Sequence, residues 1–314
     1  MRSGAASQLR EGSGAREPRP RLRPVPLISR ARGDDPVGTE YLEALLVALF
    51  LRKSVKRPVR SACRVGRPRA DVGGRDDDGW MQTILVPPLL CSPLVYRPII
   101  DVAWTHGSVT VADTCHDDTV AGMAARLLRD APEEFALLGT SMGGYVALEV
   151  VRQAPRRVRT LVLVSTSARR DTPEQLASRE HQSRLVEAGD FDRLVDMAFP
   201  GVVAEQHEKD PALLGVWRAT THTVGAHVFL RQQRAVMGRA DAHELLSTID
   251  CPTMVIHGAN DRLIPVEIGE EMARAIPGAE LVIIGDAGHF VFLEQPEVIA
   301  SAVADFLDRR DPNQ

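Results

Sequence analysis

The sequence predicts an α/β fold: a mostly parallel sheet of about six strands, helices on both faces, and a helical lid insertion. Three observations carry this. From Met81 onward, short continuous apolar runs alternate with amphipathic stretches, the pattern of strands buried on both faces and helices that cover them. Between residues 171 and 248 the alternation stops, and only helical patterns occur. At the centre, Phe135–Leu138 runs through a glycine-rich turn into the helix-prone Tyr145–Val150.

The elements follow in order. Thr83–Val86 is a buried strand that ends at Pro87-Pro88 and enters the loop Leu89–Pro93. A second strand falls near Gly107–Ala112, and a helix over 117–130 starts near Asp117 or Asp118. Phe135–Leu138 and Thr160–Val164 are apolar strands that flank a helix over 142–153. Helical patterns cover Glu174–Glu187, Asp190–Ala198 and Pro211–Val236. The alternation resumes with the strand Thr253–His257, a helix over 266–275, the strand Glu280–Ile284 and a helix from Pro296, a residue suited to a first helical turn. The expected organisation is a core of residues 81–170 and 249–314 with a lid of residues 171–248.

Residues 1–80 read differently. They hold 17 Lys and Arg against 10 Asp and Glu, whereas the rest holds 21 against 32 of the totals of 38 and 42. Residues 1–38 have no periodicity, residues 40–51 could form a short helix, and the whole, rich in Arg, Pro and Gly, is expected to be a disordered extension, with Met81 as the natural start. The apolar part of residues 40–51 is well short of the roughly 20 residues of a membrane span. The acidic body argues against nucleic acid as a partner. Cys63, Cys91, Cys115 and Cys251 are scattered, which suits reduced thiols in a cytoplasmic protein and neither a disulfide framework nor a metal site. No membrane, metal or cofactor is expected, and the sequence leaves the oligomeric state open.

The central turn is Gly139-Thr140-Ser141-Met142-Gly143-Gly144. A serine between strand and helix in Gly-x-Ser-x-Gly has the context of a nucleophile elbow. Its hydroxyl needs a base, and the base needs an orienting carboxylate. Asp261 and His289 each follow an apolar strand, in Gly258–Pro265 and Gly285–Phe290, in the order Ser, acid, His. Asp171 is the alternate acid, and Asp241 and Asp250 are weaker because neither follows a strand. His257 precedes Asp261 and is expected to pack beneath its loop. His222 and His227 fall in the lid, as do Arg231, Arg234 and Arg239, for which a solvated helix face is the simplest account.

With these three blocks, residues 81–310 resemble the α/β-hydrolase superfamily and are similar to its enol-lactonase and small carboxylesterase branch. The resemblance implies Ser141, Asp261 and His289 as catalytic residues. It also implies an oxyanion hole from the backbone N–H of Met142 and of Leu89, with Leu90 as the alternate. Pro88 stands where the family usually has glycine. The implied reaction is cleavage of a small-molecule ester, lactone or thioester through an acyl-enzyme on Ser141. Alternatives are an acyltransferase, perhydrolase or lyase on the same residues, or a binding protein without turnover. Serine at 141 argues against the members with a carboxylate nucleophile.

Overall fold

The structure, a computed structural model, describes residues 81–309. The extension expected over residues 1–80 lies outside these residues. β1 (Thr83–Val86) is followed by α1 (Arg97–Trp104), β2 (Val109–Val111), α2 (Val120–Asp130), β3 (Phe135–Thr140), α3 (Met142–Gln153) and β4 (Val158–Val164). Five helices come next: α4 (Pro173–Glu187), α5 (Phe191–Val202), α6 (Pro211–Val224), α7 (Ala226–Met237) and α8 (His243–Leu246). β5 (Thr253–Gly258), α9 (Val266–Ala275), β6 (Glu280–Ile284), α10 (Val291–Glu294) and α11 (Pro296–Asp308) follow as the last elements of the described residues.

Among the described residues, six strands pair in parallel, in the order β2-β1-β3-β4-β5-β6. Alternate residues of each strand feed opposite cores. Leu85, Leu138, Val162, Val164, Met254 and Ile256 pack with Ile99 of α1 and with Ile299, Val303 and Phe306 of α11. Ile84, Val86, Leu137, Leu161, Leu163 and Val255 pack with Met123 of α2, Val146 and Val150 of α3 and Met272 of α9. Positions that face either core are apolar with few exceptions, which is why β1, β3, β4 and β5 were legible as continuous runs.

Several details depart from expectation. α1, amphipathic and with Pro98 in its first turn, was not expected. The N-cap of α2 is Thr119, whose hydroxyl accepts from Gly122 N–H; Asp117 instead pairs with Arg126. The pattern over Pro211–Val236 is two helices, because Gly225 takes φ 80 and both ends α6 and begins α7. Among the described residues, no helix is long and apolar enough to cross a membrane.

The order of strands reverses direction between β1 and β3. Parallel sheets open a crevice at such a point, beyond the strand C-termini. The loop after β1 and the turn after β3 both border it.

Candidate active site

Ser141 sits between β3 and α3 with φ 52 and ψ −115, a conformation that non-glycine residues hold only when their surroundings impose it. Three contacts do so. Ser141 N–H donates to Val164 O at 2.9 Å. Ser141 O accepts from Gly144 N–H at 2.9 Å and from the Thr166 hydroxyl at 2.7 Å. The glycines make room for the turn: a Cβ at Gly139, Gly143 or Gly144 would overlap the Gly143 carbonyl, the Val86 carbonyl or the Thr166 side chain respectively.

The three predicted side chains come together. His289 Nε2 lies 2.9 Å from Ser141 Oγ, and His289 Nδ1 lies 2.7 Å from Asp261 Oδ2. Exposures of 8% for Ser141, 6% for Asp261 and 3% for His289 place the set out of bulk water. Asp261 is held by its own loop, because its Oδ1 accepts from Leu263 and Ile264 N–H, each at 2.9 Å. Burial pushes the Asp261 carboxyl up. The His289 charge, hydrogen bonds from His257 and His289, and the Ile264 N–H outweigh it and hold the group well below the usual carboxylate range. An ionised Asp261 accepts from His289 Nδ1–H, so Nε2 is left to accept the Ser141 proton.

His257 is fully buried beneath the acid loop. Its Nε2 donates to Ile264 O at 2.8 Å and lies 3.3 Å from Asp261 Oδ2, while its Nδ1 has no partner. The alternate acid, Asp171, is elsewhere. Its oxygens accept from Arg179 Nε at 2.6 Å and Arg239 Nη2 at 2.7 Å. Arg239 is therefore not on a solvated face: its side chain is 6% exposed and lies 4.1 Å from the centre of the Tyr145 ring. Asp241 accepts from the Arg170 and His243 N–H groups, and Asp250, His222 and His227 are exposed.

The N–H groups expected to form an oxyanion hole also have places. Met142 is the first residue of α3, where an N–H has no intrahelical acceptor. The loop after β1 lies against the elbow, since Gly143 abuts the Val86 and Pro87 carbonyls. In that loop the N–H of Leu90, the alternate expected donor, is engaged by Gln232 Oε1 at 2.8 Å. Leu89 N–H has no partner among the described residues.

Sequence reasoning missed the residues that hold this site. Glu294 has a fully buried carboxylate that accepts from Gly288 N–H at 2.9 Å, Ala204 N–H at 2.7 Å and His207 Nδ1 at 2.9 Å. It ties the His289 loop to the helical insertion. Thr166, Gln232 and Thr220 were missed as well. Each is one polar residue in an ordinary context, with a partner far away in sequence.

Residues 105–296 match the family described as alpha/beta hydrolase fold. A pimeloyl-[acyl-carrier protein] methyl ester esterase of Neisseria meningitidis serogroup B is 31% identical over 193 residues, 60% of this chain and 72% of that relative. One from Yersinia pestis is 30% identical over 200 residues, 60% of this chain and 76% of the relative. A thermophilic esterase from Thermogutta terrifontis superposes with a TM-score of 0.66 and 26% identity, over 74% of this chain and 90% of that one. The enol-lactonase of Burkholderia xenovorans LB400 shares the fold, with a TM-score of 0.66 and 22% identity over 75% of this chain and 94% of that one. The chain belongs to the alpha/beta hydrolase fold family and is an ester-hydrolysing enzyme.

Proposed function

We propose that the chain cleaves a carboxylic ester, lactone or thioester of a small molecule through an acyl-enzyme on Ser141. The observation that carries this is the unbroken relay Asp261–His289–Ser141, at 2.7 and 2.9 Å. His289 Nε2 takes the hydroxyl proton as Ser141 Oγ attacks the carbonyl carbon. Met142 and Leu89 N–H groups stabilise the tetrahedral oxyanion. The proton passes from His289 to the leaving alcohol or thiol. Water, deprotonated by His289, then attacks the acyl-enzyme and releases the acid. Asp261 keeps the imidazole in the required tautomer and stabilises the imidazolium. Each step uses groups of this chain alone, with no cofactor.

The relatives from Neisseria and Yersinia are named for the methyl ester of a carrier-bound acyl chain, which supports a carboxylic ester as the substrate class. The helical insertion acts as the lid that walls the acyl site. Trp217 and Phe229 of the insertion are buried in one apolar cluster with Leu90 and with Phe290, the residue after His289, so the insertion packs directly on the loops of the site. The test is a panel of esters, thioesters and lactones on wild type and Ser141→Ala, with fluorophosphonate labelling of Ser141. Wild type is expected to hydrolyse esters and take the label, and Ser141→Ala to do neither. Undiminished hydrolysis by Ser141→Ala would overturn the mechanism. Product analysis with added alcohol or amine reads out acyl transfer to an acceptor other than water.

A further inference from the structure

The loop after β1 is unusual at both ends. Pro87-Pro88 stiffens its entry, and Pro88 offers no N–H. Leu90 then takes φ 61, in the left-handed region where a non-glycine residue needs outside support. That support comes from the helical insertion. Leu90 N–H donates to Gln232 Oε1 of α7 at 2.8 Å. Gln232 Nε2 donates to Thr114 O at 3.3 Å and to Thr114 Oγ1 at 3.2 Å. Two residues on, Ser92 N–H donates to Thr220 Oγ1 of α6 at 2.7 Å, and the two hydroxyls lie 2.9 Å apart. Gln232 and Thr220 are both fully buried.

The chemistry fixes how the amide is turned. Leu90 N–H needs an acceptor, so the Gln232 oxygen faces it and the amide NH₂ faces Thr114. Packing alone would be met at this point of α7 by Leu or Met, without the cost of burying an amide. The amide is required only if the loop must be held by its backbone.

We propose that Gln232 is a positioning residue for the oxyanion hole. It takes the Leu90 N–H and holds Leu90 in its left-handed conformation. Leu89 N–H then remains the donor that meets the developing oxyanion. The insertion on this view builds part of the active site as well as covering it. The inference rests on the acyl-enzyme reading of Ser141.

The test uses Gln232→Met in the full chain, which keeps length and volume and removes both kinds of bond. With p-nitrophenyl butyrate, kcat is expected to fall about 10- to 100-fold, less than the roughly 100- to 1,000-fold for loss of a donor itself. KM should change little. The affinity for a trifluoromethyl ketone, which forms a tetrahedral oxyanion on Ser141, should fall by the same factor as kcat/KM. Affinity for butyrate, the product, should stay. A residue that only stabilised the fold would lower the melting temperature without this split. Thr220→Val, nearly isosteric, should show a smaller loss in the same direction, and it carries the test if Gln232→Met does not fold. Folded Gln232→Met or, failing that, Thr220→Val with wild-type kcat and ketone affinity would overturn the proposal, as would equal losses of ketone and butyrate affinity. Ser141→Ala in parallel separates the two readings. If it is inactive while Gln232→Met behaves as wild type, only the role of Gln232 fails. If it is fully active, the mechanism fails.

Discussion

At the scale of single residues, the site is a balance between a strained serine and the groups that hold it. The backbone of Ser141 costs about 1–3 kcal/mol in its conformation, and the bonds from Thr166 and to Val164 offset it. Gly143 is the tightest point, because a side chain there would meet backbone atoms of Val86 and Pro87, which cannot rotate away. Gly143→Ala must therefore push the elbow and the loop after β1 apart. With both proposed oxyanion donors displaced, kcat/KM should fall by at least about 100-fold. Steady-state kinetics on a variant whose circular dichroism matches wild type decides this, and near-normal activity would show that the two loops need not touch. Asp261→Asn tests the acid. An amide can still accept from Leu263 and Ile264 N–H through its oxygen, but its NH₂ then faces His289 Nδ1. That favours the wrong imidazole tautomer, and kcat should fall by about 10⁴-fold with the fold retained. A loss under about ten-fold would mean that another group orients His289.

Elements obey simpler rules, and one helix offers a clean comparison with the elbow. Gly215 lies inside α6, and a Cβ there would meet nothing within 4 Å. Glycine in a helix interior is about 0.5–1 kcal/mol worse than alanine, because it loses more backbone freedom on folding. Gly215→Ala should raise stability by about that much and leave kcat/KM unchanged, as read from urea unfolding midpoints and ester hydrolysis. A fall in activity would mean that α6 must bend there during turnover. Gly225 belongs to the other kind. Its φ of 80 turns the chain between α6 and α7, and this turn presents Thr220 and Gln232 to the same loop. Periodicity showed helical residues on both sides of it but not the break, since one glycine inside a helical pattern leaves the apolar spacing intact.

For the whole molecule, the insertion and the sheet share one set of bonds. Arg262, beside Asp261, donates to Val203 O at 3.1 Å and pairs with Glu208 at 2.6 Å. Phe290 N–H donates to Val202 O at 3.0 Å. Together with Glu294 and Gln232, these fasten every loop that carries a proposed catalytic side chain or the second oxyanion donor, except the elbow. This division explains what could be read in advance. Strands buried on two faces are apolar at most positions, so β1, β3, β4 and β5 showed as continuous runs; of the two edge strands, β6 showed as a run because its exposed Leu281 and Ile283 are apolar too, and β2, with Thr110 exposed, needed a looser reading. Ser141, Asp261 and His289 were legible because each stands in a loop directly after such a run. Gln232, Thr220 and Glu294 were not, because a buried polar residue in a helix looks like any other until its partner is known, and the partner of Gln232 is 142 positions away. Asp171 shows the same limit from the other side: it followed a strand and looked like a candidate acid, yet it anchors two arginines. Burial pushes its carboxyl up, but the hydrogen bond from Arg239 and the charges of Arg179 and Arg239 outweigh this and hold it below the usual range. Asp261 is lowered too. Both groups then bind fewer protons folded than unfolded, so the stability they confer is complete above the ordinary carboxylate range, about pH 4, and is lost as pH falls below it. Urea unfolding at pH 7, 4 and 3 should show wild type losing stability steeply over the last step. Asp171→Asn should be weaker at pH 7 by about 3 kcal/mol, since two partly buried arginines lose their partner. Its further loss on acidification should be shallower, by up to about 1.4 kcal/mol per pH unit. Equal slopes in the two proteins would mean that Asp171 keeps its proton affinity on folding and that its arginines serve packing alone.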